Sequence, residues 1–307
     1  MSKQREIVNT VIKKCMGFKK GEHVLIVCDD KSQRLAQLFF STLKGQKIES
    51  ILLQISPRQI HGQEPPREIA AALKATDIAI LLTSMSLSHT RARKQACAKY
   101  GTRIASLPGI TPEIFSRSVE LNYRKLKKRV EKVARQLTRG KQLSISTDRG
   151  THLVMSISGR KGCADHGSLQ KAGAFGNLPA GEACIAPCEG TTNGRLVVDA
   201  SAPLVGKLRR PKEIIIKDGL VQKMPFDKIA KMIKPLGRPA LNIAEFGLGL
   251  NPCARVTGNI LEDEKTESTG HLAIGANISF GGKISCPCHL DFVFLNPEIT
   301  IDGKKLT

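Results

Sequence analysis

Tryptophan is absent from this chain and only two tyrosines occur, Tyr100 and Tyr123, so aromatic residues make up 4% of it. Single-stranded nucleic-acid binding draws on stacked aromatic rings, and their scarcity argues against such a partner. No apolar run approaches the roughly 18 residues that read as a membrane span. The first residues, Met1-Ser2-Lys3-Gln4-Arg5-Glu6, carry no apolar stretch of secretory type. A cytoplasmic protein with no membrane partner is the expectation. No two of the nine cysteines stand at the two-residue spacing of a redox or zinc-ribbon motif. The odd count and a reducing compartment argue against a disulfide framework. A thiolate metal site at Cys286-Pro287-Cys288-His289 competes there with buried, inert thiols. A phosphate-cradling loop is missing as well, because Gly247-Leu248-Gly249 lacks the full dinucleotide pattern, and no nucleotide cofactor is expected.

Acidic residues are few, 27 against 48 basic ones, and the net charge of +21 makes attraction to anionic surfaces a real question. The densest basic segment runs from Arg124 to Lys141 and contains a single acid, Glu131. Yet Val119, Tyr123, Leu126, Val130, Val133 and Leu137 recur at alternating four- and three-residue steps. That spacing predicts an amphipathic helix whose charges form its solvated face, so nucleic-acid binding ranks low despite the charge.

Between residues 23 and 106, β-branched runs alternate with helical patterns. Strands are expected at His23–Val27, Ile51–Leu53, Ile78–Leu82 and Arg103–Ala105, with helices through Leu35–Leu43, Arg67–Leu73 and Thr90–Tyr100. Such alternation predicts an α/β fold, a doubly wound parallel sheet. It draws attention to Ser84-Met85-Ser86-Leu87-Ser88-His89-Thr90, beyond the third strand, since ligands bind at the carboxyl ends of such sheets. His89 there is either a site residue or a structural one at a helix start. Beyond Gly140 the texture changes to short strands separated by glycines. Two domains follow, a Rossmann-like α/β domain over 1–140 and a mainly-β (α+β) metal-binding domain over 141–307.

The second half scatters Glu182, Glu245, Glu264, His271, His289 and Asp291 among glycines. His289-Leu290-Asp291 precedes Phe292-Val293-Phe294, a β-favouring run in which residues i and i+2 share a face, so both potential ligands point the same way. His271 opens another strand-like segment that could bring a second imidazole alongside. Imidazoles with carboxylates suit zinc, iron, cobalt or manganese. Glycines 181, 247, 249, 281 and 282 are read as turn formers.

Taken together, five ordered segments resemble the aminopeptidase T family of metallo-aminopeptidases. They are Asn177-Leu178-Pro179-Ala180-Gly181-Glu182, Ala244-Glu245-Phe246-Gly247-Leu248-Gly249-Leu250-Asn251-Pro252, Glu262-Asp263-Glu264-Lys265, Gly270-His271-Leu272-Ala273-Ile274-Gly275 and His289-Leu290-Asp291. The resemblance spans nearly the whole chain and implies a homodimeric exopeptidase acting on peptides. It places Glu182, Glu245, His271, His289 and Asp291 at two divalent ions, zinc, cobalt or manganese. Such ions would activate a water for attack on the peptide carbonyl, with Glu245 or Glu264 moving the proton to the departing amine. Glu267 competes with Glu264 for that assignment. Longer members carry a catalytic tyrosine shortly after the histidine of the His-Leu-Ala segment. Ile278 stands there in this chain, so either Asn277 or Ser279 substitutes as the oxyanion donor or the chemistry is not peptide hydrolysis.

The chain is also similar to the dihydroxypyridine ring-cleaving dioxygenases, which share the scaffold and use a single Fe(II). That likeness implies the two-histidine, one-carboxylate set His271, His289 and Asp291, with His89 as an acid-base residue across the domain cleft. Ser86-Leu87-Ser88-His89-Thr90 and Pro108-Gly109-Ile110-Thr111 look like the wider superfamily and separate neither option. Peptide hydrolysis is the leading expectation, ring cleavage of a small molecule the alternative, and a basic binding protein the third reading.

Overall fold

The structure is a computed structural model that describes residues 3–306, so Met1 and Ser2 of the N-terminal segment discussed above lie outside the described residues. The chain forms two compact units, residues 1–123 with 167–180, and residues 124–166 with 181–307.

In the first unit β1 (Val24–Cys28), β2 (Ser50–Gln54), β3 (Ile78–Leu82) and β4 (Arg103–Ser106) pair in parallel. A short strand from later in the chain, Phe175–Asn177 and β8 in chain order, pairs parallel to β4, giving the order β2-β1-β3-β4-β8. Burial of every residue of β1 and β3 explains their unbroken apolar runs, since a parallel sheet is covered on both faces. Of the helices α1 (Lys3–Asn9), α2 (Gln33–Gly45), α3 (Arg67–Lys74), α4 (Arg91–Tyr100) and α5 (Pro112–Ser118), α1 packs on α2 and α5, and α3 packs on α4. Right-handed crossovers in a sheet whose strand order reverses between β1 and β3 place these two groups on opposite faces, the doubly wound arrangement expected. Leu25, Val27 and Leu81 bury against Ile69 and Leu73 of α3 and Ala96 of α4. Phe39 of α2 meets Phe115 of α5 with ring centroids 5.5 Å apart. At the reversal point the backbone N–H and the Oγ of Ser84 donate to Asp29 Oδ2, at 2.5 and 2.6 Å, bridging the carboxyl ends of β1 and β3.

The second unit opens with α6 (Tyr123–Arg139), where Leu126, Val130, Val133 and Leu137 are buried and the basic side chains lie on the opposite face. Two antiparallel sheets follow. One contains β5 (Gln142–Ser146), β6 (His152–Ser156), β10 (Asn193–Val198), β13 (Lys212–Lys217), β14 (Leu220–Lys223), β18 (Glu298–Ile301) and β19 (Lys304–Lys305), in the order β14-β13-β10-β6-β5-β18-β19. The other contains β7 (Cys163–Asp165), β9 (Glu182–Ile185), β11 (Ser201–Ala202), β12 (Gly206–Lys207), β15 (Ile243–Gly249), β16 (Thr269–Gly275) and β17 (His289–Leu295), in the order β12-β11-β17-β16-β15-β9-β7. Two short helices, α7 (Asp227–Ile233) and α8 (Ile260–Asp263), interrupt the strands.

The division read from sequence at residue 140 differs from the observed one for two physical reasons. The partner of β8 is β4, which draws 167–180 back to the first unit. Meanwhile α6 packs within the second, where Thr138 Oγ1 accepts the N–H of Gly162 at 2.9 Å. Among the described residues no helix is long and apolar enough to cross a membrane.

Candidate metal centre

Register in the second sheet determines where the polar residues of its strands end up. On one face Phe246 of β15, Leu272 of β16 and Phe292 of β17 stand side by side, fully buried, with Phe226 tilted against Phe292 at 5.5 Å. Alternation then puts Glu182 and Cys184 of β9, Glu245 of β15, His271 of β16, and His289 and Asp291 of β17 on the other face. Each large donor lies opposite a small residue: Glu182 faces Gly249, His271 faces Gly247, Glu245 and Asp291 flank Ala273, and His289 faces Gly275. The small residues clear a floor on which the donors can converge.

Converge they do. Glu245, His271 and Asp291 each offer one ligand atom, and these atoms lie within 4.8 Å of one another. His289 Nε2 lies 3.0 Å from Glu245 Oε2 and 3.3 Å from Asp291 Oδ1. The Nδ1 of the same ring is 2.8 Å from the carbonyl oxygen of Ala276, a contact that orients Nε2 toward the carboxylates. Phe280 stacks on the imidazole at 5.2 Å. Burial by itself would lower the pKa of His289, but the carboxylates of Asp291 and Glu245 outweigh it and hold the ring well above its ordinary value. Asp291, for which burial works the other way, is held below the usual carboxylate range by His289.

Glu182 belongs to the same face, with Oε2 3.6 Å from His271 Nε2. That Oε2 and His271 Nδ1 are buried and make no hydrogen bond among the described residues. Two orphaned polar atoms beside a cluster of carboxylates and imidazoles fit a divalent cation, since buried polar atoms without partners are costly. Sequence reasoning missed Cys184, which forms a second such group with Glu182 and Glu245, although the Glu182-Ala183-Cys184 alternation is a readable signal for it. The Cys286–Cys288 pair, with Sγ atoms 3.4 Å apart, lies outside both groups.

Glu264 is buried and joins the cluster through Lys265, whose Nζ lies 3.1 Å from its Oε1. Glu267, its competitor, is partly exposed and paired with Arg129 at 2.5 Å. Burial, with the nearby Glu182 and Asp291 charges, pushes Glu264 well above the usual carboxylate range in spite of Lys265. His89 is exposed and belongs to the first unit, immediately before Thr90, whose Oγ1 caps α4 by accepting from Arg93 N.

Gly247 is no turn former. It lies inside β15, and a Cβ built on it would overlap Cε1 and Nε2 of His271, so the missing side chain is the space the imidazole fills.

The segment after β16 is clamped by Glu189. Its Oε1 accepts from Asn277 Nδ2 at 2.9 Å and from Lys283 N at 2.8 Å, and its Oε2 pairs with Arg160, which also donates to the Gly281 carbonyl. Asn277 Oδ1 accepts in turn from Ile284 N at 2.8 Å. Asn277 is therefore structural rather than an oxyanion donor, and Ile278 is 52% exposed. Partial burial would raise the Glu189 carboxyl, but these donors bring it down to about 2. A depressed carboxylate stabilises above its ordinary value of 4.5 and loses that contribution as pH falls toward about 2. Amide protection at Lys283 and Ile284 is accordingly expected to fall between pH 5 and pH 2.5, and to be low and flat in Glu189→Gln. Equal protection in both proteins across that range would contradict the clamp.

Residues 4–307 match the family model described as NicX: 2,5-dihydroxypyridine 5,6-dioxygenase. The chain belongs to the NicX family. A curated relative, the 2,5-dihydroxypyridine 5,6-dioxygenase of Pseudomonas putida, is 26% identical over 252 residues, 76% of this chain and 70% of that protein. The solved 2,5-dihydroxypyridine dioxygenase of Pseudomonas putida KT2440 superimposes with a TM-score of 0.84 over 100% of this chain and 96% of its own, at 20% identity. Wild-type AmpT from Thermus thermophilus does so at 0.73, covering 99% of both chains, at 13% identity. The likeness to aminopeptidase T is thus one of scaffold. NicX membership overturns the expectation of a hydrolase, aminopeptidase or protease, and this NicX-family chain is an enzyme of a dioxygenase family. Its donor set is suited to a divalent metal.

Proposed function

We propose that this NicX-family chain is an Fe(II)-dependent dioxygenase that opens the ring of a dihydroxylated pyridine, with one iron held by His271, His289 and Asp291. The carrying observation is the face shared by β16 and β17, which presents His271, His289 and Asp291, with Nδ1 of that His271 and the adjacent Glu182 Oε2 buried and without a hydrogen bond. Family membership and the curated relative support the reaction class. Fe(II) bound by such a set keeps coordination positions for a hydroxylated substrate and for dioxygen.

The chain's own residues prepare that site in recognisable ways. Ala276 and Phe280 fix the His289 ring, the first by its carbonyl and the second by stacking, so Nε2 meets a cation without reorienting. Glu245, 2% exposed and 3.0 Å from His289 Nε2, is placed to accept a proton from a substrate hydroxyl as the substrate binds. Burial of Glu182, Glu245 and His271 keeps water from competing at these atoms.

Anaerobically purified protein loaded with Fe(II) tests the proposal by elemental analysis and by dioxygen uptake with 2,5-dihydroxypyridine. One iron per chain and one dioxygen consumed per ring opened are expected. Protein that holds iron yet leaves the ring intact would remove this substrate class.

A further inference from the structure

Lys265 is the least expected residue in the second unit. Its side chain is 1% exposed, and its Nζ lies 2.5 Å from Glu182 Oε1, 3.1 Å from Glu264 Oε1 and 3.2 Å from Asp165 Oδ2. An ammonium ringed by three carboxylates occupies a position whose chemistry is that of a divalent-cation site: hard oxygen donors, converging and largely dry. Glu182 is shared between two neighbourhoods. Its Oε1 is on Lys265, while its Oε2, without a hydrogen bond, turns toward His271.

The segment that delivers the lysine is held firmly. Asn259 caps α8 by accepting from Leu261 N, and Asp263 accepts from the N–H groups of Thr257 and Gly258 at 2.7 and 2.9 Å. Asn251 N donates to the Lys265 carbonyl at 2.8 Å. The backbone at Lys265 is thus fixed, and its ammonium is held between the three carboxylates.

We propose that Lys265 is a built-in cation that fills what would be a second metal position, limits the centre to one divalent ion, and aims Glu182 Oε2 at that ion's side of the cluster. The inference rests on the metal reading above and deepens it, because the single-ion stoichiometry becomes a property of one residue.

Metal-free wild type, Lys265→Ala and Lys265→Arg would each be titrated with Zn(II), counting bound ions by calorimetry and by elemental analysis after desalting. The wild type and Lys265→Arg are expected to take one ion per chain. Lys265→Ala is expected to take two, with a melting temperature that rises more steeply with excess Zn(II) than the wild type's. Two ions in the wild type, or one in a folded Lys265→Ala, would overturn the proposal. Where Lys265→Ala folds only with Zn(II), the same count decides: two ions support the proposal and one overturns it. Where it does not fold at all, Lys265→Gln, which keeps the volume and drops the charge, is read by the same counts. A wild type that takes one ion but opens no dihydroxypyridine ring would sink the functional reading and leave this one intact. Lys265→Ala held at one ion beside an active wild type would do the reverse.

Discussion

A Gly247→Ala variant is expected to keep both sheets of the second unit and to lose its metal. The added methyl group would project from β15 into the imidazole of His271. The opposite face, with Phe246, Leu272 and Phe292, would be untouched. The backbone at Gly247 is not left-handed, unlike that at Gly181 with φ +125°, so alanine itself is tolerated and the effect is steric. Bound iron should fall to background in elemental analysis. Ring-cleaving activity should drop at least about 100-fold, the upper end of what disturbing a ligand's supporting contacts costs. Far-ultraviolet circular dichroism should remain that of the wild type. Full iron content in this variant would show that His271 is not a ligand.

The second large effect is expected from His289→Ala. Removing the ring takes away a proposed ligand and also the cation that balances Asp291 and Glu245 when no metal is bound. Glu245, buried, and Asp291, partly buried, would lose their counter-charge at a cost of up to about 3 kcal/mol, the low end of the penalty for breaking a buried pair. The metal-free variant should therefore unfold at lower urea than metal-free wild type and retain no iron after desalting. A variant with unchanged urea midpoint and full iron would remove His289 from both roles.

Much of this centre was legible in the sequence because β-strands alternate. His289 and Asp291, two residues apart in a run of β-favouring side chains, had to share a face, and they do. The buried strands of the first unit announced themselves as unbroken apolar runs, and the buried stripe of α6 by its helical spacing. What stayed hidden depends on register between distant strands. Nothing local distinguishes Gly247 as the gap beneath an imidazole, because the fact belongs to its pairing with His271, 24 positions later in the chain. Lys265 lies in the Glu262–Lys265 segment of the resemblance, but its pairing shows only when Asp165 and Glu182 arrive from β7 and β9. The chemistry was misread for a different reason. Acidic and imidazole motifs on one sheet face serve hydrolysis and oxygenation alike, so their order along the chain identifies the scaffold and leaves the reaction open. Ile278 at the position of the family's tyrosine was the one local sign against peptide hydrolysis.

The parallel sheet of the first unit takes its last strand from Phe175–Asn177, downstream of β5, β6 and β7. A ribosome must therefore pass the middle of the chain before that sheet can close. Until then β4 is a bare edge, with Ile104 and Ala105 offering unpaired backbone groups to any neighbouring nascent chain. Truncation at residue 140 would make that exposure permanent, and such a fragment should be recovered from cells as aggregate. Expression trials that aim to dissect this enzyme do better to keep residues 167–180 attached to the first unit, by a short tether from Tyr123, than to cut the polypeptide in two.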